Sequence, residues 1–270
     1  MSSTVAVVIP TFNSALTIER ALISVLVQTQ LPNEVIVVDN ASADDTIALV
    51  HAFAAKHQDV TWKIESLSLN VGPGAARNLG WDIAESDLIA FLDSDDSWLP
   101  EKLEMQCETV DRHPESSLFG HRYIVVLQDE AASWSQATGN RPVIDRFDLG
   151  HFLLRNRLST PTVMLRRTIP ERFPTEFWHA EDYALWLRIV AVHGPAIFQR
   201  HTLTLLHKST YGDSGLSSNL AQMHRGELRA VRHLRQTHNI GMFGELLVNL
   251  WLRVKYFRRR ILVFFGRERR

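Results

Sequence analysis

The feature that most constrains this chain is an apolar segment that ends in three carboxylates. Residues Leu88 to Leu92 are apolar, and they are followed at once by Asp93, Asp95 and Asp96. Such a run is typical of a buried strand, and an open α/β sheet binds its ligands at the carboxyl ends of its strands. Asp93 and Asp95 project to the same side of an extended backbone and can share a hard divalent cation. The segment predicts a site for a metal ion and a diphosphate.

The acidic cluster also has a purely structural interpretation, because it could cap the next helix. Ser97 is a suitable N-cap residue, and Pro100 suits the first turn ahead of the amphipathic run Glu101 to His113. The segment alone does not distinguish a ligand site from a helix cap.

Short apolar runs alternate with helical or turn-rich segments in the first hundred residues. This alternation predicts an α/β fold, with a mostly parallel sheet of Rossmann-like βαβ units flanked by helices. A helix should open within Gly72 to Gly80, but this segment is not a GxGxxG fingerprint. A nicotinamide enzyme would carry that fingerprint directly after its first strand, where this chain has Pro10 to Asn13. The predicted strands are Val5 to Ile9, Glu34 to Val38, Val60 to Glu65 and Leu88 to Leu92.

The second half of the chain predicts further strands around one long helix. Residues 180–193 have the periodicity of an amphipathic helix, with Glu181 and Asp182 in its first turn. Residues 128–148 are polar and irregular, which predicts a mobile loop over the site. The predicted strands here span residues 117–127, 161–166, 196–199 and 203–207.

The near-zero net charge of −1 conceals two differently charged parts. Residues 1–224 carry 17 lysines and arginines against 27 aspartates and glutamates, whereas residues 225–270 carry 12 against 3. The two parts should therefore meet different partners. Cys107 is the one cysteine of the chain, and no apolar run reaches the ~18 residues of a spanning helix. These features predict a cytoplasmic protein.

The basic part contains a predicted amphipathic helix from residue 241 onward, rich in arginine and aromatic residues. Such a helix could lie in an anionic membrane surface, which would hold the protein at the inner face of the membrane. It could equally pack on the main domain or across a homodimer. Nucleic acid is not an expected partner, because the rest of the chain is acidic. We divide the chain into residues 1–218 and a basic helical extension, residues 219–270.

Four motifs occur in an order that resembles the inverting family 2 glycosyltransferases of the GT-A fold. They lie at residues 7–13, 35–46, 72–100 and 180–188, and the resemblance covers about residues 4–218. It implies a GT-A type domain that transfers a sugar from a nucleotide-diphosphate donor. The glutamine-arginine-tryptophan signature of processive members is absent, so we expect one sugar per encounter.

The resemblance also implies roles for residues at the donor side. Asp39 would accept a hydrogen bond from the nucleotide base, and Thr11 and Phe12 would form the same pocket. Arg77 would contact the base or the diphosphate, because a guanidinium fork suits both. Asp93 would lie near the ribose. Three of these residues also have a structural alternative: Phe12 as a core residue, Asp39 as a turn cap, and Arg77 as a solvated helix residue.

Further roles concern the metal and the reaction. By resemblance, Asp95 would bind Mn or Mg, and His207 would complete the metal or diphosphate site. Asp182 would be the general base that takes the proton from the acceptor hydroxyl, with Glu181 in support. The alternative for this pair is favourable placement at a helix N-terminus.

We therefore predict a metal-dependent, inverting glycosyltransferase of cell-surface polysaccharide synthesis. Its acceptor would be a saccharide or a polyprenol-linked saccharide. A sugar-nucleotide nucleotidyltransferase is a weaker prediction, because the segment Pro10 to Asn13 is not a glycine-rich phosphate loop. A catalytically silent nucleotide-binding membrane scaffold is the alternative from another class.

Overall fold

A mixed sheet forms the centre of the protein. The computed structural model describes residues 3–126, 143–207, 219–237 and 240–267, and the sheet within these ranges has nine strands. The strands are β1 (Val5–Thr11), β2 (Glu34–Asp39), β3 (Thr61–Ser66), β4 (Leu88–Phe91), β5 (Ser97–Trp98), β6 (Leu118–Val125), β7 (Ile144–Phe147), β8 (Met164–Arg166) and β9 (Ala196–Leu206).

Helices cover the sheet and follow its strands in the chain. None of those within the described residues combines the length and apolarity needed to cross a bilayer. They are α1 (Ile18–Leu26), α2 (Thr46–Lys56), α3 (Pro73–Ile83), α4 (Lys102–Arg112), α5 (Leu149–Leu154), α6 (Glu181–His193), α7 (Leu220–Gln236) and α8 (Met242–Arg267), with a short 3-10 helix at Thr160–Thr162.

The strand order is β3-β2-β1-β4-β8-β6-β9-β5, and β7 pairs with the outer side of β9. The first four strands are parallel, β8 is antiparallel to both of its neighbours, and β9 is parallel to β6. Six of the nine described strands thus run in one direction, and β5, β7 and β8 run in the other. The mostly parallel α/β sheet predicted from the sequence is confirmed.

Strands β1, β2 and β4 are buried along their whole length because helices cover both faces of the sheet. Alternate residues enter two cores: Val8 and Val38 pack with α3 and α6, whereas Val7 and Val37 pack with α1 and α4. Burial on both faces explains why these strands have nearly continuous apolar sequences. The cores fix the sheet edge at which the parallel strands end.

Helix α3 lies against β1 at a residue that has no room for a side chain. A Cβ atom on Gly80 would come within 2.5 Å of a Val8 methyl group. The absence of that atom lets α3 approach the sheet closely, which sets the position of the helix start near the ends of β1 and β4.

Several local predictions were wrong. Ser97 belongs to β5, where it pairs with Leu205, and α4 begins only at Lys102. The strand predicted for residues 161–166 begins at Met164, after the 3-10 helix. The two strands predicted between residues 196 and 207 are the single strand β9.

The predicted loop and domain boundary fall largely on residues that are not described. Residues 127–142 lie outside the described ranges, and the remainder of the loop predicted for 128–148 contains β7. The boundary at residue 218 also lies outside them. On its far side, Ala230, Val231 and Leu234 of α7 pack into the same core as α6.

Candidate active site

A cavity of about 740 Å³ opens at the carboxyl ends of β1 and β4 and at the start of α6. It brings together side chains that are far apart in the sequence, because parallel neighbouring strands end at the same edge of the sheet. Seven of the nine candidate site residues line it: Thr11, Phe12, Arg77, Asp93, Asp95, Glu181 and Asp182.

Arg77 is buried between the two acidic walls of this cavity. Its guanidinium donates to Asp93 at 2.7 Å and to Glu181 at 2.9 Å, and it lies 5.4 Å from the centre of the Phe173 ring. Burial alone would lower the pKa of Arg77, but the two carboxylates raise it above its usual range. The arginine is therefore an ion-paired residue of the site, which excludes the solvated alternative.

Asp182 has a carboxyl group whose pKa lies near neutral. Burial and the adjacent Glu181 carboxyl raise the pKa of Asp182 to about 7. Its carboxylate accepts hydrogen bonds from the backbone N–H of Tyr183 at 2.6 Å and from the side chain of Asn156 at 3.2 Å. Burial also raises the pKa of Glu181, although the Arg77 guanidinium opposes that rise. With a pKa of about 7, the Asp182 carboxylate can take a proton from a hydroxyl and is still ionised in half or more of the molecules at pH 7 and above.

The turn before α6 holds Glu181 and Asp182 in place. Ala180 adopts a left-handed backbone conformation, with φ 58° and ψ 27°, which is uncommon for a residue with a side chain. Helix α7 packs directly behind this turn, since a Cβ atom on Gly226 would lie 2.4 Å from the carbonyl oxygen of His179. Strained backbone of this kind is a recognised feature of functional sites.

The loop after β4 is fixed by residues that the motifs did not reveal. Arg20 of α1 donates to the backbone oxygen of Asp95, and the Ser14 and Ser94 hydroxyls are 2.8 Å apart. These contacts hold the acidic loop against α1. Arg20 has no signal in its local sequence beyond its place on a helix, so only the folded structure assigns it to the site.

Two predicted residues lie just behind the cavity wall. Asp39 accepts hydrogen bonds from the backbone and hydroxyl of Ser42, so it caps the turn after β2. The Nε2 atom of His207 is 2.7 Å from the Ser97 hydroxyl, and burial lowers the pKa of His207 to about 4. The neighbours of these residues, Asn40 and Leu206, line the cavity. Their roles in base and metal binding stay predictions.

The remaining predicted donor residues, Thr11 and Phe12, differ in exposure. Phe12 is 47% exposed and lines the cavity, so it is not a core residue. The Thr11 hydroxyl is buried and has no hydrogen-bond partner within the described residues. Trp178 and Asn70 also line the wall, although sequence reasoning did not select them.

The cavity carries an excess of negative charge. Five carboxylates line it, and Arg77 is its one lysine or arginine within the described residues. No group of three or more histidine, cysteine, aspartate or glutamate residues in those ranges is arranged to enclose a metal ion. Mg²⁺ is commonly held by one or two carboxylates together with substrate phosphates, so this donor set fits a cation that arrives with a diphosphate. The five carboxylates are Asp93, Asp95, Asp96, Glu181 and Asp182.

Comparison with known proteins identifies the class. The model of Glycosyl transferase family 2 matches residues 6–175. The Escherichia coli protein WfgD, named UDP-Glc:alpha-D-GlcNAc-diphosphoundecaprenol beta-1,3-glucosyltransferase, is 32% identical over 69% of this chain and 69% of its own. The succinoglycan biosynthesis protein ExoO of Rhizobium meliloti is 44% identical over 40% of this chain and 30% of its own.

A solved structure has the same fold. The crystal structure of residues 1–349 of S. aureus TarS matches 94% of this chain and 72% of that one, with a TM-score of 0.68 and 21% sequence identity. The structure has the GT-A fold, and the family model together with the relatives defines a glycosyltransferase. Because the family model covers more than half of its residues, the chain belongs to glycosyltransferase family 2. The class predicted from the four motifs is confirmed.

Replacing Arg77 should destabilise the protein strongly. The Arg77→Met variant leaves Glu181 and Asp93 without their partner, and an unpaired buried charge costs about 3 kcal/mol or more. Denaturant unfolding should show this loss, and adding Glu181→Gln should recover part of it. Arg112→Met, which removes an exposed pair with Glu108, should cost less than about 1 kcal/mol. Equal stability of Arg77→Met and the parent would contradict the role given to this ion pair.

Proposed function

We propose that this glycosyltransferase transfers a sugar from a nucleotide-diphosphate donor, with inversion, to a saccharide or lipid-linked saccharide in cell-surface polysaccharide synthesis. The observation that carries the proposal is the arrangement of one cavity, in which Arg77 joins Asp93 to Glu181, and Asp182 follows Glu181 in the same wall. Relatives give the proposal its substrate class. WfgD and the E. coli protein WfaP, 31% identical over 69% of this chain, are both named as using UDP-Glc and a GlcNAc-diphosphoundecaprenol acceptor.

The donor would occupy the side of the cavity formed by β1 and β4. The exposed ring of Phe12 offers a stacking face for the base, and the unpaired Thr11 hydroxyl can bind it. Asp93 would contact the ribose while Arg77 holds its carboxylate, and Asp39 would receive the base N–H behind the wall. The sugar would then lie between Arg77 and the start of α6.

Asp95 would hold Mn or Mg at this site, with His207 completing the set. The ion supplies charge that offsets the departing nucleotide diphosphate when it is bound. The acidic cavity supports this assignment, since its one arginine is already paired with two carboxylates. The buried Nδ1 atom of His207 has no hydrogen-bond partner within the described residues, which is compatible with a ligand at this nitrogen.

Asp182 would act as the general base. Its carboxylate would take the proton of an acceptor hydroxyl while that oxygen forms a bond to the anomeric carbon of the donor sugar. The bond between that carbon and the diphosphate oxygen breaks in the same displacement, which inverts the configuration. Asn156 and the Tyr183 backbone hold the carboxylate in place for this step.

Helix α8 would bring the enzyme to an anionic membrane surface at the inner face of the membrane. The helix is anchored on the protein by Leu252, which is fully buried, and by a hydrogen bond from the Trp251 ring to the Leu154 carbonyl. Its opposite side carries large apolar residues at helical spacing, all of them exposed, and Arg258 and Arg260 flank them. A water-facing stripe of this kind suits a lipid surface. The stripe comprises Phe243, Leu246, Leu247, Leu250, Val254, Phe257 and Ile261.

Two matched variants should separate donor binding from transfer. Asp182→Asn preserves the shape of the side chain and removes its basicity, so donor affinity should persist while transfer falls by about 10²-fold or more. Asp95→Asn should instead lose metal-dependent donor binding. Donor affinity can be measured by titration calorimetry with Mn, and turnover by nucleotide release. Near-normal turnover of Asp182→Asn, or full activity after chelation, would refute the corresponding assignment.

Removal of the apolar stripe should release the protein from lipid. Phe243→Ser with Leu250→Ser should weaken sedimentation with phosphatidylglycerol vesicles by about tenfold per side chain, because each loses roughly 1.5 kcal/mol of apolar burial. Val192→Ser removes a comparably exposed residue from α6 and should change nothing. A parent protein that forms dimers and never sediments with the vesicles would show that α8 is a dimer helix.

A further inference from the structure

A second cavity, of about 700 Å³, adjoins the proposed donor site. The two cavities meet at Asp182, because this residue lines both, together with Ser159, Ala180 and Met223. Asn156, which donates to the Asp182 carboxylate, lines only the second cavity. An acceptor hydroxyl that reaches Asp182 from this side would meet the donor sugar across the base.

The second cavity is basic where the first is acidic. We call it the arginine cleft, since it is lined by Arg122 of β6, Arg155 and Arg157 after α5, Arg200 of β9 and Arg259 of α8. Arginines are strongly favoured wherever a phosphate is recognised, because their planar donors match its oxygens. None of the four motifs includes them.

Three of the five arginines are available for a ligand. Arg200 is paired with Asp145 at 2.7 Å, and Arg259 with Glu227 at 3.2 Å. Within the described ranges, the other three form no ion pair or hydrogen bond that would occupy their charge. These three are Arg122, Arg155 and Arg157.

Arg157 is held in position without its donors being used. Its guanidinium lies 5.0 Å from the centre of the Phe147 ring, and its buried Nε has no hydrogen-bond partner within the described residues. Stacking on an aromatic ring fixes the plane of a guanidinium while leaving its N–H groups free. Hydrogen bonds from Arg200 hold the pKa of Asp145 below its usual range, and the charges of Arg122 and Arg157 add to this effect, so these cations are close together.

We propose that the arginine cleft binds the diphosphate of a lipid-linked saccharide acceptor. This inference rests on the proposed function, and it identifies the part of the acceptor that the enzyme recognises. The acceptor sugar would present its hydroxyl to Asp182, and the diphosphate at its reducing end would lie among Arg122, Arg155 and Arg157. The five arginines exceed the three carboxylates of the cleft, so a diphosphate can be bound there without a metal ion.

The lipid end of such an acceptor has a place in the same geometry. Arg259 belongs to α8, so the helix that bounds the cleft is also the one that carries the exposed apolar stripe. Arg155 lies near Lys255 of the same helix, whose pKa is lowered chiefly by burial and also by that arginine. The cleft therefore lies between the base and the surface that would face the membrane. A soluble, uncharged saccharide would bind neither the arginines of the cleft nor the apolar stripe of α8.

The test compares two acceptors that differ only in the diphosphate. One is N-acetylglucosaminyl diphosphate esterified to a dodecyl chain, and the other is the dodecyl glycoside of the same sugar. Arg122→Gln with Arg157→Gln should raise the KM for the diphosphate acceptor by about tenfold per arginine and leave the donor KM and the neutral acceptor unaffected. Arg146→Gln, which removes an exposed arginine of β7 outside the cleft, is the matched control.

Binding provides a readout that does not require turnover. With EDTA present, the dodecyl ester of N-acetylglucosaminyl diphosphate should bind the parent in titration calorimetry. The variant with both Arg122→Gln and Arg157→Gln should bind it about 10²-fold more weakly. Failure of the ester to bind the parent, or equal binding by both proteins, would overturn the proposal. So would an equal rise in KM for both acceptors. Binding in the expected pattern without sugar transfer to either acceptor would contradict the proposed function and support the diphosphate site.

Discussion

A single buried guanidinium joins the two halves of the active site. Arg77 belongs to α3, and its guanidinium pairs with Asp93, which follows β4, and with Glu181 at the start of α6. Because a buried charge without a partner is costly, the positions of these three side chains depend on one another. Close packing supports the same arrangement, since α3 reaches the sheet at Gly80 and α7 reaches the turn before α6 at Gly226. The loop after β4 and the start of α6 are therefore held in a fixed relation.

The two cavities that meet at Asp182 are lined by opposite charges, and we propose different roles for them on this ground. The donor cavity has five carboxylates and a fully paired arginine, so a nucleotide diphosphate would need a cation there. The arginine cleft has the opposite excess of charge and can bind a phosphate ester directly. This contrast would discourage the two diphosphates from exchanging places. The donor and the acceptor would thus be directed to different cavities by the charges of those cavities, before any sugar hydroxyl is recognised.

The sequence predicted those parts of the fold in which local pattern and tertiary packing agree. The buried parallel strands are continuous apolar runs, and α6 was placed to within one residue. Ser97 was misassigned because its cap-like sequence competes with pairing to Leu205, a partner 108 residues away that no local pattern reveals. The motifs identified the walls of the donor cavity, whereas Arg20 and Arg157 escaped notice. The residues around Arg20 and Arg157 come from elements that are far apart in the sequence, so no local motif brings them together.

We propose Asp182, buried beside Glu181, as the base for sugar transfer, and the pH dependence of kcat/KM reports the ionisation of such a base. Because burial raises the pKa of Asp182 to about 7, the ionised fraction should fall as the pH drops below that value. We expect log kcat/KM to rise with a slope of about one up to pH ~7 and then to level off, and we expect Asp182→Asn to lose this limb. A parent profile that stays flat down to pH ~5, or an unchanged limb in Asp182→Asn, would contradict it.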